Sequence, residues 1–177
     1  MRLFVALDLP ADVRAALSAW ADEAAPPAVR RVPAANLHVT LAFLGSRSSE
    51  EAAAAGALLS ALARPLEELC TAGALWLPPR RPGVLTVALG SDEALAGLQA
   101  ELVAALTAAI GFQPERRRFR PHVTVGRVAR GTRINTRREL APAAPALRFR
   151  PRTLTLYRSR TGPQGARYEP LAGAELR

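Results

Sequence analysis

Asn36-Leu37-His38-Val39-Thr40-Leu41-Ala42-Phe43-Leu44-Gly45 and Phe119-Arg120-Pro121-His122-Val123-Thr124-Val125-Gly126-Arg127 carry the chain's two histidines, and their His-Val-Thr triplets lie 84 residues apart. Both triplets sit in β-branched, apolar runs bounded by turn-forming residues, which reads as strand. Side chains alternate across a strand. His38 and Thr40 therefore share one face, as do His122 and Thr124. Leu37, Val39 and Leu41, like Val123 and Val125, point the other way into a core. Each strand presents an imidazole and a hydroxyl on a packed apolar backing.

Working outward from these strands, the two halves of the chain repeat. Leu3 to Leu9 reads as a strand. Pro10 opens a helix with Asp12 in its first turn and a stripe of Val13, Leu17, Trp20 and Ala24, stopped by Pro26-Pro27. Leu37 to Leu44 is the next strand. In the second half, Val84 to Leu89 is a strand, and a helix with the stripe Leu95, Leu98, Leu102, Leu106 and Ile110 runs to a Gly111 cap. His122 to Val128 is the strand that follows. Between the halves, Ser48 with Glu51 makes a capping box for a helix ending near Pro65, and residues 66–77 lean towards strand. Arg152 to Tyr157 and Arg167 to Leu171 read as strands joined by Gly/Pro turns.

Strand, helix, then His-Val-Thr strand thus occurs at 3–44 and again at 84–128. Two such halves pack about a pseudo-twofold axis and bring equivalent strands together. The expected fold class is α+β and bilobal, with two pseudo-symmetric antiparallel sheets, outer helices and a central cleft. Residues 1–177 are expected to form a single two-lobed domain, with a monomer as the favoured state.

Composition narrows the function. The net charge is +9, and all 24 basic residues are arginine. Residues 1–115 hold 8 Arg against 12 acids, whereas 116–177 hold 16 Arg against 3 acids. A basic half fits a polyanionic partner, although an arginine-for-lysine codon bias also fits. Without lysine, a G-x-x-x-x-G-K-[ST] phosphate loop and any covalent lysine intermediate are excluded. The single cysteine, Cys70, permits no intrachain disulfide and fits a reducing cytoplasm. Met1 to Leu9 is too short and too broken for a signal peptide or a membrane span, so no membrane partner is expected.

The four polar groups suit phosphate-ester chemistry. A neutral imidazole takes a proton from an attacking hydroxyl or water, and a protonated one gives a proton to the leaving oxygen. Threonine hydroxyls donate to non-bridging oxygens as charge builds there. No Cys or carboxylate stands at ligand spacing from either histidine, so no metal and no cofactor are expected. No G-x-S-x-G elbow is present for a serine hydrolase.

On these residues the chain resembles the RNA 2′,3′-cyclic phosphodiesterases, also called 2′-5′ RNA ligases, of the two-histidine phosphoesterase superfamily. The similarity extends to the opening Arg2-Leu3-Phe4-Val5-Ala6-Leu7-Asp8-Leu9-Pro10, and to Leu156-Tyr157-Arg158-Ser159 and Gly165-Ala166-Arg167-Tyr168 near the end. The resemblance implies a bilobal fold and an RNA partner with a 2′,3′-cyclic phosphate end, opened to a 2′-phosphate. It implies His38 as proton donor, His122 as proton acceptor, and Thr40 and Thr124 as phosphate holders. Ligation would be the same step reversed, with a 5′-hydroxyl in place of water.

Two further positions are candidates for substrate binding. Phe43 is a possible base-stacking residue, but strict alternation puts it on the core face, and that placement is favoured. Arg127 is a possible phosphate partner, yet its parity is opposite to that of His122. It reaches the cleft only through a strand end or a bulge. Arg116, Arg117, Arg118 and Arg120 read as a phosphate-tracking rim leading into His122, or as a solvated loop. Rival functions are a related phosphoesterase acting on another cyclic or linear ester, a non-catalytic RNA-binding module, and a plain interaction domain. Turnover of a cyclic-phosphate nucleotide in EDTA separates the enzymes from the other two.

Overall fold

The computed structural model describes residues 1–135, 140–162 and 165–176. The elements run β1 (Arg2–Asp8), α1 (Ala11–Ala24), β2 (Val29–Arg31), a 3-10 turn at Ala34–Asn36, β3 (His38–Ser46), α2 (Ser49–Leu62), β4 (Leu69–Leu77), β5 (Val84–Leu89), α3 (Glu93–Ile110), β6 (His122–Val128), β7 (Arg148–Phe149), β8 (Thr153–Gly162) and β9 (Gly165–Glu175). The strand order is β7-β4-β5-β6-β3-β1-β8-β9, with β2 paired to β6, and every pairing is antiparallel. The fold is α+β, as the sequence predicts.

The two halves of the sheet meet at one residue pair. Strand β3 pairs with β6 only through Val39 and Val123, the central residues of the two His-Val-Thr triplets. On the outer side of each, β1 pairs β3 and β5 pairs β6. The pseudo-twofold relation expected from the repeat is therefore centred on the motif strands themselves. The strand on each side of that axis supplies the frame for one histidine.

The local signals account for the helices. Ser48 Oγ accepts from the Glu51 amide while Glu51 Oε2 accepts from the Ser48 amide, closing the capping box. A cap of this kind is worth about 1 kcal/mol. Asp92 Oδ1 caps α3 at Leu95, and Gly111 ends it in the left-handed region at φ 60°. The α3 leucines 95, 98, 102 and 106 are fully buried. They share one core with Val13, Leu17 and Trp20 of α1, Ala55 and Leu59 of α2, and Leu3, Val5, Leu7, Val39, Leu41, Leu85, Val87, Val123, Leu154 and Leu156 of the strands. In α1 the fourth buried position is Ala21, with Ala24 half-buried. By length and composition α3 is apolar enough to cross a membrane, but its leucine stripe lies in this core. One sheet face is thus covered, and the alternate residues of the same strands stand on the opposite, open face.

Candidate active site

The Val39–Val123 pair dictates how the motifs meet. In an antiparallel pair, the residues flanking the central one fall beside each other across the strands. His38 therefore lies beside Thr124, and Thr40 beside His122, all on the open face. The histidines are diagonal neighbours on one floor. Diagonal cross-strand positions are about 7–8 Å apart at Cα, within reach of long side chains.

Both imidazoles are oriented in the same way. His38 Nδ1 donates to Asn36 O at 2.7 Å, and His122 Nδ1 donates to Arg120 O at 2.7 Å. A backbone carbonyl can only accept, so each Nδ1 carries hydrogen and, in the neutral ring, each Nε2 is the nitrogen with a free lone pair. His38 Nε2 lies 2.9 Å from Thr40 Oγ1, which donates to it while the ring is neutral. Burial holds the His38 pKa below its ordinary value. The bond to the Asn36 carbonyl and the Asp8 charge oppose that shift, and Arg127 and His122 add to it. Rings crowd around His38: Phe4 stacks at 4.8 Å, Tyr168 meets it edge-on at 5.3 Å, and Tyr157 lies at 6.5 Å.

A cavity of about 750 Å³ opens on this face, and His38, Thr40, Phe43, Thr124 and Arg127 line it together. His122 is not part of its wall; it is half-buried and flanks Thr124 two residues back on the same strand face. Phe43 corrects the alternation argument, because it is 62% exposed and lines the cavity. The cause is a bulge. Val5 pairs Ala42 and Ala6 pairs Thr40, so Leu41 is the extra residue and the parity of β3 flips beyond it. Strand β6 does the same: Leu85 pairs Gly126 and Thr86 pairs Thr124, leaving Val125 extra. That flip turns Arg127 into the cavity, by the bulge its parity requires. Both candidates stand five residues after their histidine. The sequence signal was the small residue at the fourth position, Ala42 in one half and Gly126 in the other.

Sequence reasoning missed several wall residues. Arg2, Arg30 and Arg130 join Arg127 as cations lining the cavity, and no carboxylate is among its described lining residues. Arg30 comes from β2, a three-residue strand with no periodic signature of its own. Ser159 and Tyr168 come from β8 and β9, the strands read only in outline. Arg116, Arg117, Arg118 and Arg120 are exposed and lie outside the cavity wall. Among the described residues, no group of three His, Cys, Asp or Glu side chains is placed to hold a metal ion.

With the site's geometry in hand, the likeness to known proteins is specific. The family model of the 2′-5′ RNA ligase superfamily matches residues 3–163. This chain belongs to the 2′-5′ RNA ligase superfamily. It is 38% identical over 132 residues, 72% of each chain, to the RNA 2′,3′-cyclic phosphodiesterase of Escherichia coli (strain K12). The crystal structure of TT0787 of Thermus thermophilus matches 100% of this chain and 98% of that one, at TM-score 0.84 and 30% identity. The structure of E. coli LigT complexed with 3′-AMP matches 99% and 97%, at TM-score 0.79 and 32% identity. The superfamily match spans both His-Val-Thr triplets and the strands β1 and β5 that frame them.

Proposed function

We propose that this chain hydrolyses the 2′,3′-cyclic phosphate at an RNA end to a 2′-phosphate, using His38 and His122 as acid and base and no metal. Membership of the superfamily supports cyclic phosphodiester chemistry on RNA. The observation that carries the mechanism is the Val39–Val123 pairing, which sets both imidazole–hydroxyl pairs on one floor.

In this reading His122 Nε2 takes a proton from water as the water oxygen attacks phosphorus. The bond from phosphorus to the ribose 3′ oxygen breaks, and protonated His38 Nε2 gives its proton to that oxygen. Thr40 and Thr124 donate to the non-bridging oxygens, where charge grows, and Arg127 balances it. Burial, with Arg127 and His122, works against a proton on His38. An anionic phosphate entering the cavity reverses that balance by placing negative charge beside the ring. Binding and protonation of the acid are thereby linked. A 5′-hydroxyl in place of water, attacking the same cyclic phosphate, gives 2′-5′ ligation; strain in the ring drives that step without ATP.

The proposed setting is a monomer in the cytoplasm with RNA as partner and no cofactor. The test is product analysis of an RNA ended by a 2′,3′-cyclic phosphate, incubated in EDTA. The expected product is the 2′-phosphate at an undiminished rate. A 3′-phosphate would reverse the leaving group, and loss of rate restored by one divalent ion would point to metal-assisted hydrolysis.

A further inference from the structure

The duplicated frame makes the two histidines equivalent in backbone, so whatever separates acid from base must come from their neighbours. On β1, Asp8 is the register partner of His38; on β5, the matching partner of His122 is Ala88. The neighbouring positions correspond too, with Ala6 opposite Thr40 and Thr86 opposite Thr124. A carboxylate therefore stands beside one histidine and a methyl group beside the other. Asp8 is also fixed in place: Thr155 Oγ1 donates to Oδ2 at 2.7 Å, and the Tyr157 hydroxyl donates to Oδ1 at 2.7 Å. Both donors belong to β8, which is paired to β1, so the carboxylate is held by rigid elements.

We propose that Asp8 is a positioning residue that makes His38, and not His122, the proton donor, by holding a fixed negative charge beside the His38 ring. The inference rests on the acid–base reading above and deepens it. Other groups facing His38 are His122 and Arg127 from β6, Tyr157 from β8 and Tyr168 from β9. Two of these are cationic or become so, and both oppose a proton on His38; Asp8 supports one. The phenol of Tyr157 is pushed well above its ordinary range by burial and by its bond to Asp8, so it remains a donor to the carboxylate. Arg14 of α1 is the cation that acts on that phenol.

The chain has only two histidines, so their titration can be followed one by one by NMR. In Asp8→Asn the His38 midpoint should fall by about one pH unit, the low end of the effect of an adjacent opposite charge. The His122 midpoint should move less. Tyr157→Phe removes a hydrogen bond but keeps the charge, and should shift His38 far less than Asp8→Asn does. A merely structural Asp8 would make the two variants alike. Ala88→Asp, made in parallel, places the charge beside His122 and should raise the His122 midpoint. An unmoved His38 midpoint in Asp8→Asn overturns the proposal. Should that variant not fold, an unmoved His122 midpoint in Ala88→Asp overturns it instead. The readout needs no turnover. An active His38→Ala protein would sink the acid–base reading itself, whatever the titrations show.

Discussion

Gly126→Ala tests whether the β6 bulge shapes the cavity. Gly126 has no positive φ, so its role is space rather than backbone freedom. A Cβ there would lie 2.4 Å from Val29 Cγ1, 3.6 Å from Arg30 O and 3.7 Å from Leu85 Cβ. Carbon atoms rest about 3.5–4.0 Å apart, so the contact with Val29 must open by roughly 1 Å or more. Val29 is buried, short and β-branched, and its backbone is paired to Val128, so no flexible tip absorbs the shift. Strand β2 has to move. Overpacking of this kind costs about 1–3 kcal/mol, or roughly 2–12 °C in Tm for a domain of this size. Because β2 carries Arg30 and β6 carries Arg127, the KM for RNA should rise more than kcat falls. Thermal unfolding and steady-state kinetics measure both. Val29→Ala in the same chain should recover part of the loss, giving a favourable coupling between the two sites. If Gly126→Ala keeps the wild-type Tm and KM, β2 yields freely and close packing at the bulge does not set the cavity.

His38→Ala and His122→Ala should each lower turnover by about 10²- to 10⁴-fold, with the double variant only slightly worse and the wild-type rate bell-shaped in pH. A leaving group of lower pKa should rescue His38→Ala and not His122→Ala; rescue of the second alone would exchange the roles. Neutralising Arg30 should flatten the salt dependence of RNA binding by about one unit of slope, while Arg116→Ala, outside the cavity wall, should change it less. Stability should also report the burial of His38. Its folded pKa is depressed, so its contribution is complete above about pH 6.5, where the unfolded ring is neutral, and is lost as pH falls through the folded value. His38→Gln should shrink that acid-side fall in Tm; an equally steep fall would mean another group causes it.

How much was legible in the sequence follows from what each feature depends on. Helix α2 announced itself because a capping box is local, and Ser48 and Glu51 need only each other. The α3 stripe and the strands at 84–89 and 122–128 were legible for the same reason, since period and punctuation lie within a few residues. Strand β2 was not, because three residues hold no period and Val29–Arg31 is a strand only by its pairing with β6. Phe43 failed differently. Alternation is a rule of unbroken ladders, and a bulge is defined by the partner strand: Leu41 is extra only because Val5 and Ala6 pair around it. The aromatic enclosure of His38 is likewise long-range, assembled from Phe4, Tyr157 and Tyr168 on three strands.

The paired bulges also bear on how duplication makes a directional site. An exact twofold cleft would present the same groups to both sides of a phosphate, yet a cyclic phosphate at a chain end has a nucleoside on one side and open water on the other. The frame repeats down to the extra residue, Leu41 in one half and Val125 in the other, so each half delivers the side chain five places after its histidine to the cavity. What is delivered differs: a flat apolar ring at Phe43, a cation at Arg127. The first suits stacking on a base and the second suits pairing with phosphate oxygens. Asp8 against Ala88 is a second asymmetry, one strand further out, and in the proposed mechanism it acts on the protonation of the histidines and not on the binding of the substrate. The two asymmetries need to agree, because the substrate's orientation decides which oxygen leaves and the acid must stand beside that oxygen. Exchanging the pair, Phe43→Arg with Arg127→Phe, should therefore bind RNA and yet lose turnover far beyond its loss of affinity, measured as kcat against Kd. Retained turnover would show that orientation is set elsewhere in the cavity.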